Sequence, residues 1–188
     1  MHAAEAPSPW VTRFAHLVAP GACVLDVACG AGRHAAFFSA RGCTVDAVDR
    51  DAGLAAAFAH LARVRFLAAD IEADAWPYPD RRFDAVIVTN YLHRPLFPLL
   101  RDAVANEGVV LYETFARGNE AFGKPSNPVF LLQPGELLEA FAPGFSIVAY
   151  EEGMIETPRR ARVQRLCALR GAAGATARID DFASSARG

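Results

Sequence analysis

Lysine is almost missing from this sequence. Of 19 basic side chains in 188 residues, Lys124 is the only lysine. That bias, like the abundance of alanine, reflects the source of the chain and not its chemistry, so neither carries functional weight. Charge of one sign is also lacking. The formal net charge is −2, which argues against nucleic-acid binding by bulk electrostatics. No apolar run approaches 18 residues, so no membrane span is expected. Residues 1–9 show no basic stretch followed by an apolar one, so no secretory signal is expected either. The four cysteines, Cys23, Cys29, Cys43 and Cys167, include no CxxC pair. Zinc-ligand spacing is therefore absent and no metal is expected; Cys23, Cys43 and Cys167 lie in apolar runs and read as small hydrophobes. Internal repeats are absent. What the chain does have is apolar content, 53% against 21% charged, enough for one core. The expectation is a protein of a reducing compartment, the cytoplasm.

Short β-branched runs alternate with amphipathic ones. Trp10, Phe14 and Leu17 recur at helical spacing and stop at Pro20-Gly21. Residues 22–27 form a nearly all-apolar run, as in a parallel strand buried on both faces. Residues 33–41 predict a helix closed by Gly42. Residues 43–49 and 63–68 predict strands, with a helix between them capped by Asp51 and carrying Leu54, Phe58 and Leu61 on one face. Residues 83–89 and 108–115 predict two more strands, with a helix over 96–104. Residues 116–134 form a long Gly/Asn/Pro loop, of the kind that closes over a substrate. A short helix over 136–141 and strands over 145–151 and 162–170 complete the pattern. Residues 1–170 are expected to make one domain, and 171–188 a frayed tail. Five strand–helix alternations imply an α/β layer fold with a mainly parallel sheet, and the last two strands imply one antiparallel edge.

In an open α/β sheet, ligands bind beyond the carboxyl ends of the strands. The first strand ends in Asp26-Val27-Ala28-Cys29-Gly30-Ala31-Gly32-Arg33, where small residues let the backbone turn and approach a ligand. The second ends in Asp49-Arg50, where a carboxylate can accept both hydroxyls of a ribose. The third ends in Asp70-Ile71, suited to an exocyclic adenine amine with an apolar side chain beside the ring. The fourth ends in Asn90-Tyr91-Leu92-His93-Arg94, the fifth in Thr114-Phe115-Ala116-Arg117. Three acidic strand tips in succession say more than one Gly-rich turn.

These residues carry a resemblance. Residues 24–33 look like the first motif of class I S-adenosylmethionine-dependent methyltransferases. Residues 45–49 look like the second motif, 68–71 the third and 83–90 the fourth. The resemblance covers roughly residues 20 to 170, and is loosely to small bacterial enzymes of the tellurite-resistance methyltransferase type. It implies an α/β, Rossmann-like, seven-stranded, mostly parallel sheet with one antiparallel edge strand and helices on both faces. It implies S-adenosylmethionine as cofactor, with Asp26 and the turn Ala28, Cys29, Gly30, Gly32 and Arg33 near its amino-acid moiety. Asp49 and Arg50 fall at the ribose, Asp70 and Ile71 at the adenine, and Asn90 at the end of the fourth strand. One departure is Ala28, which stands where the family most often has glycine.

Methyl transfer to a small-molecule acceptor by in-line displacement is the expected activity, since positioning alone supplies much of the rate. Tyr91 offers an aromatic face to a cationic sulfur. His93 is the candidate base. Arg94 and Arg117 are candidates to hold an acidic substrate, and the cluster Arg159, Arg160, Arg162 and Arg165 reads either as a phosphate contact or as a charged strand face. Two other readings use the same residues. Residues 30–35 also fit G-x-G-x-x-A, which would make the chain an NAD(P)-dependent oxidoreductase with Asp49 on the ribose. Against it, Asp26 sets a carboxylate where a pyrophosphate wants N–H donors. A non-catalytic module that binds S-adenosylmethionine is the other. No nucleic-acid or membrane partner is expected, and the assembly state is monomer or homodimer.

Overall fold

The computed structural model describes residues 5–171. The chain enters through helix α1 (Pro9–Phe14), which Ser8 starts by accepting the Trp10 N–H on its hydroxyl at 3.1 Å. Proline at the first helical position gives up no bond the helix needs. One 3₁₀ turn, Ala15–Leu17, follows before Gly21 at φ +86°. Strand β1 (Cys23–Val27) leads to helix α2 (Arg33–Ala40) and strand β2 (Thr44–Asp49). After it come the single-turn helix α3 (Ala55–Phe58), strand β3 (Val64–Ala68) and strand β4 (Phe83–Thr89). Helix α4 (Phe97–Ala103) runs straight into strand β5 (Val104–Phe115). Helix α5 (Glu136–Phe141), strand β6 (Phe145–Ile155) and strand β7 (Ala161–Arg170) complete the chain as described. Of the expected tail, all beyond Gly171 lies outside the described residues.

The seven strands stand in the order β3-β2-β1-β4-β5-β7-β6. The first five pair parallel, and β7 pairs antiparallel with both β5 and β6, which places the expected antiparallel element toward that edge. Alternation along each strand decides what the sheet faces. Leu25, Val27, Val86, Val88, Val110 and Tyr112 pack under α4, α5 and the loop over 69–82. Val24, Ala85, Ile87, Val109 and Leu111 pack under α1, α2 and α3. Each such side chain contributes about 1.5–3 kcal/mol of burial, so the two layers fix the register of the strands, and with it the set of residues at their carboxyl ends.

Three elements differ from expectation, among them β6, which runs on to Ile155 where the expected strand stops at 151. Strand β5 starts four residues earlier than its apolar run, because Val104 already pairs with Phe83 across a bulge. Within that bulge Glu107 sits at φ +62°, and a Cβ on Gly108 would lie 3.0 Å from the Asp84 carbonyl. The helix after Asp51 is only a 3₁₀ turn and one α-helical turn, ending at Phe58 before Leu61 is reached. Asp51 does cap it, accepting the Gly53 N–H at 2.8 Å.

Candidate active site

β1 and β4 lie side by side with β2 beyond the one and β5 beyond the other, so strand order reverses between them. A crevice forms where neighbouring connections leave on opposite faces of the sheet. The turn after β1 is built from left-handed residues: Ala28 at φ +52°, Gly30 at +53° and Gly32 at +80°. At Ala28 an L side chain occupies that region at a cost of roughly 1–2 kcal/mol, so the alanine is accommodated in the turn. The turn is sewn to β2: the Cys29 N–H donates to the Val48 carbonyl at 3.1 Å, and the Gly30 N–H to Asp49 Oδ2 at 2.9 Å. Asp49 Oδ1 accepts the Asp51 N–H at 3.1 Å. The half-buried carboxylate is thereby oriented, and each oxygen keeps a lone pair for a ligand.

Three cavities open along these strand ends. The first, about 320 Å³, is lined by Ala28, Cys29, Gly30, Gly32, Arg33 and Asn90, with Tyr91 at its side. The second, about 400 Å³, is lined by Asp49, Arg50, Asp70, Ile71, Tyr91 and Phe130, and shares Ala28 and Tyr91 with the first. Every residue expected to hold a cofactor lines one of these two, except Asp26. That carboxylate is buried beneath α2, where it accepts the Ala35 N–H at 3.1 Å and lies 4.0 Å from His34 Nδ1. Burial pushes its pKa up to about 8. Asp70 Oδ1 accepts the N–H groups of Glu72 and Ala73 at 3.0 and 3.3 Å, leaving its other oxygen toward the cavity chemistry. Burial also pushes the Cys29 thiol pKa up, so it is no nucleophile at neutral pH.

The two residues expected to act on the acceptor stand differently. Tyr91 lies between the first two cavities; its hydroxyl is buried and makes no hydrogen bond of ordinary geometry. Burial, and then the nearby Glu72 carboxylate, raise its pKa. His93 is not among the lining residues of the three cavities. Its Nδ1 faces Glu72 Oε2 at 3.6 Å, and Glu72 in turn lines the second cavity.

The third cavity, about 580 Å³, adjoins the first through Glu5, Arg33 and Asn90. Its floor is a buried polar group that sequence reasoning did not single out. Glu113 accepts the Ser8 hydroxyl on Oε1 at 2.9 Å and Arg165 Nε–H on Oε2. The Ser8 N–H donates to His34 Nε2 at 3.1 Å, and the Arg165 guanidinium lies 5.8 Å from the Trp10 ring centre. One signal was available: Glu113 is the lone carboxylate in the apolar run 109–115, at the carboxyl end of a strand.

The expectation for Arg94 is corrected. It donates to both oxygens of Glu136 at 2.6 and 2.9 Å, and to the carbonyls of Val129 and Leu131 at 2.7 and 2.9 Å. A guanidinium so engaged braces the 116–134 loop and is not free for a substrate. That loop brings Phe130 to the second cavity, while the third is closed instead by the turn between β6 and β7.

Residues 24–107 match the family model described as a methyltransferase domain. A sequence comparison with curated proteins gives no match. Among solved structures, the chain is similar to TehB from Haemophilus influenzae, with TM-score 0.73, 19% identity and 88% of this chain covered. It spans 63% of that TehB chain. It is similar to the 1,6-didemethyltoxoflavin-N1-methyltransferase of Burkholderia thailandensis, with TM-score 0.64 and 21% identity over 87% of this chain and 76% of that one. The [4+2]-cyclase SpnF shares the fold at TM-score 0.68 and 16% identity, over 86% and 78% of the two chains. The fold alone therefore does not select a reaction. Residues 24–107 thus match a methyltransferase domain, and the chain shares the fold of these structures.

Proposed function

We propose that this chain, through a domain spanning residues 1–170, transfers a methyl group to a small-molecule acceptor. One observation carries the proposal: two joined cavities hold the cofactor-type residues, and a third, larger one opens beside them at Asn90. The site fits S-adenosylmethionine. A Cβ placed on Gly30 would meet nothing within 4 Å, so the turn leaves open space over its backbone. The buried Tyr91 hydroxyl on the same wall, beside Glu72, makes no hydrogen bond of ordinary geometry.

When bound, that cofactor supplies a methyl group on a sulfonium, for in-line displacement by the acceptor. The chain's own residues then have these roles. Asp49 accepts from the ribose hydroxyls with its remaining lone pairs, and Arg50 flanks it. Asp70 accepts from the adenine amine, with Ile71 and Phe130 on the apolar sides of the ring. Cys29, Gly30 and Gly32 bring backbone close to the amino-acid end, beside Arg33, which holds Glu5 at 3.2 Å. Asp26 acts one step removed, by holding the Ala35 N–H and so the start of α2. Ala28 and Asn90 shape the wall from strained left-handed backbone. Tyr91 lays its ring toward the positive sulfur. His93, the base expected from the sequence, lines none of the three cavities and turns its Nδ1 to Glu72, so the reading rests on positioning of donor and acceptor. The working form is a cytoplasmic monomer or homodimer; among the described residues no helix is long and apolar enough to cross a membrane.

Calorimetry with S-adenosylhomocysteine tests the cofactor assignment. Asp49→Ala should weaken binding about tenfold or more, since two hydroxyls lose a charged acceptor. Unchanged affinity removes Asp49 from the ribose site. Binding of NAD in place of S-adenosylhomocysteine would establish the oxidoreductase reading. Tight binding without turnover of labelled methyl against an acceptor library would establish the binding-module reading.

A further inference from the structure

The charges around the third cavity do not cancel. Glu5 is paired with Arg33 at 3.2 Å. Glu113 is held by Arg165, which also reaches Glu151 at 3.4 Å. Both carboxylates of the lining are therefore already committed to guanidinium groups. Arg159 is different. It lines the same cavity from the turn between β6 and β7, with its guanidinium carbon 5.0 Å from the centre of the Phe115 ring. No carboxylate pairs with it among the described residues, whereas the adjacent Arg160 turns away to Glu156 at 3.5 Å. The uncharged wall is mostly apolar, with Pro7, Phe115, Ile155 and Val163, beside the polar Ser8, Asn90 and Thr157. A chamber of about 580 Å³ is the size that encloses one small organic molecule.

We infer that the acceptor is a singly anionic molecule with a compact apolar or aromatic body, its acid group held by Arg159. The inference rests on the methyltransferase reading and names the substrate class of that site. An arginine fork matches a carboxylate in two parallel bonds, and the exposed Arg159 presents that fork beside the Phe115 ring. With the acid group at Arg159, the body of the acceptor lies on the apolar wall, and its far end faces Asn90, the residue shared with the first cavity. A cationic acceptor is disfavoured, because no carboxylate of the lining is free to receive it. A polyphosphate is disfavoured too, since one uncompensated cation matches one anionic charge.

The test uses matched pairs that differ only at the acid: 4-hydroxybenzoate against 4-hydroxybenzamide, and indole-3-acetate against indole-3-acetamide. Each is titrated by calorimetry into the full chain, with and without saturating S-adenosylhomocysteine. The acids should bind about tenfold more tightly than their amides, the scale of one charge-assisted bidentate contact. In Arg159→Gln that preference should fall to about twofold or less, while Arg159→Lys keeps part of it and the affinity for S-adenosylhomocysteine is unchanged in both. Equal binding of acid and amide, binding of neither acid, or a preference that survives in Arg159→Gln overturns the inference. Failure of S-adenosylhomocysteine to bind is read in its own titration and strikes the cofactor assignment instead.

Discussion

At Gly32 an added methyl group would lie 2.4 Å from the Phe58 ring, on a backbone already at φ +80°. Four residues earlier, Ala28 carries its methyl group in the same left-handed region. The difference between the two positions is space and not backbone angle alone, a distinction that needs Phe58, 26 positions further along the chain, to be folded over the turn. The strand tips were far easier to read. Asp49 and Asp70 each close an apolar run, so their position at a carboxyl end follows from periodicity. Asp26 reads equally well in sequence, yet its side chain points beneath α2 and not into a cavity. That burial has a consequence for stability. The folded pKa of Asp26 is about 8 against an ordinary 3.8, and that of His34 about 3 against 6.5. The folded state holds the Asp26 proton longer than the unfolded chain does, so stability falls as pH rises from 3.8 to 8. His34 works in the other direction, adding stability as pH rises from 3 to 6.5. The two slopes oppose between 3.8 and 6.5, and above 6.5 only the Asp26 slope is left, at most about 1.4 kcal/mol per pH unit. Melting midpoints taken from pH 6.5 to 8 should fall for the native chain and stay level for Asp26→Asn. A parallel fall in the variant would assign the slope to another group.

Among the elements, α1 shows how one residue can serve the helix and the site together. Ser8 caps the helix through its oxygen and donates its proton to Glu113, while its backbone N–H is bound by His34. Ser8→Ala removes the cap and one of the two donors on a buried carboxylate. The expected loss is about 1–2 kcal/mol, read by urea unfolding; a loss under about 0.5 kcal/mol, the scale of an ordinary surface change, would leave the cap without weight. Nothing local in the sequence connects positions 8 and 113. The pairing of Glu113 with Arg165 is equally remote, since the two are direct partners only in the β5–β7 register. Arg94 shows the same limit: its four acceptors belong to residues 129–136, brought back by the loop. Five of the strands, by contrast, lie within a residue of their expected bounds, because runs buried on both faces are apolar throughout, while β5 and β6 each extend four residues beyond theirs. The helices were less legible. α3, α4 and α5 span only four to seven residues, too short for a period of 3.6 to repeat clearly.

Across the whole molecule, the sheet order carries the cofactor-type residues to one end of β1–β4 and the unexpected acidic floor to the neighbouring end of β5 and β7. The two chambers are not independent. Glu5, Arg33 and Asn90 stand between them as a common partition, with Glu5 and Arg33 joined by an ion pair. If a ligand in either chamber orders that partition, the entropy of ordering is lost once, to whichever ligand arrives first. The second ligand then binds a wall already set, so the two affinities rise together and by the same factor. Titration of 4-hydroxybenzoate should therefore tighten several-fold when S-adenosylhomocysteine is present, and the reverse titration should tighten equally. Identical affinities with and without the other ligand would show the partition to be rigid beforehand. Three side chains shared by two rooms thus make donor and acceptor reciprocal partners in binding, whichever enters first.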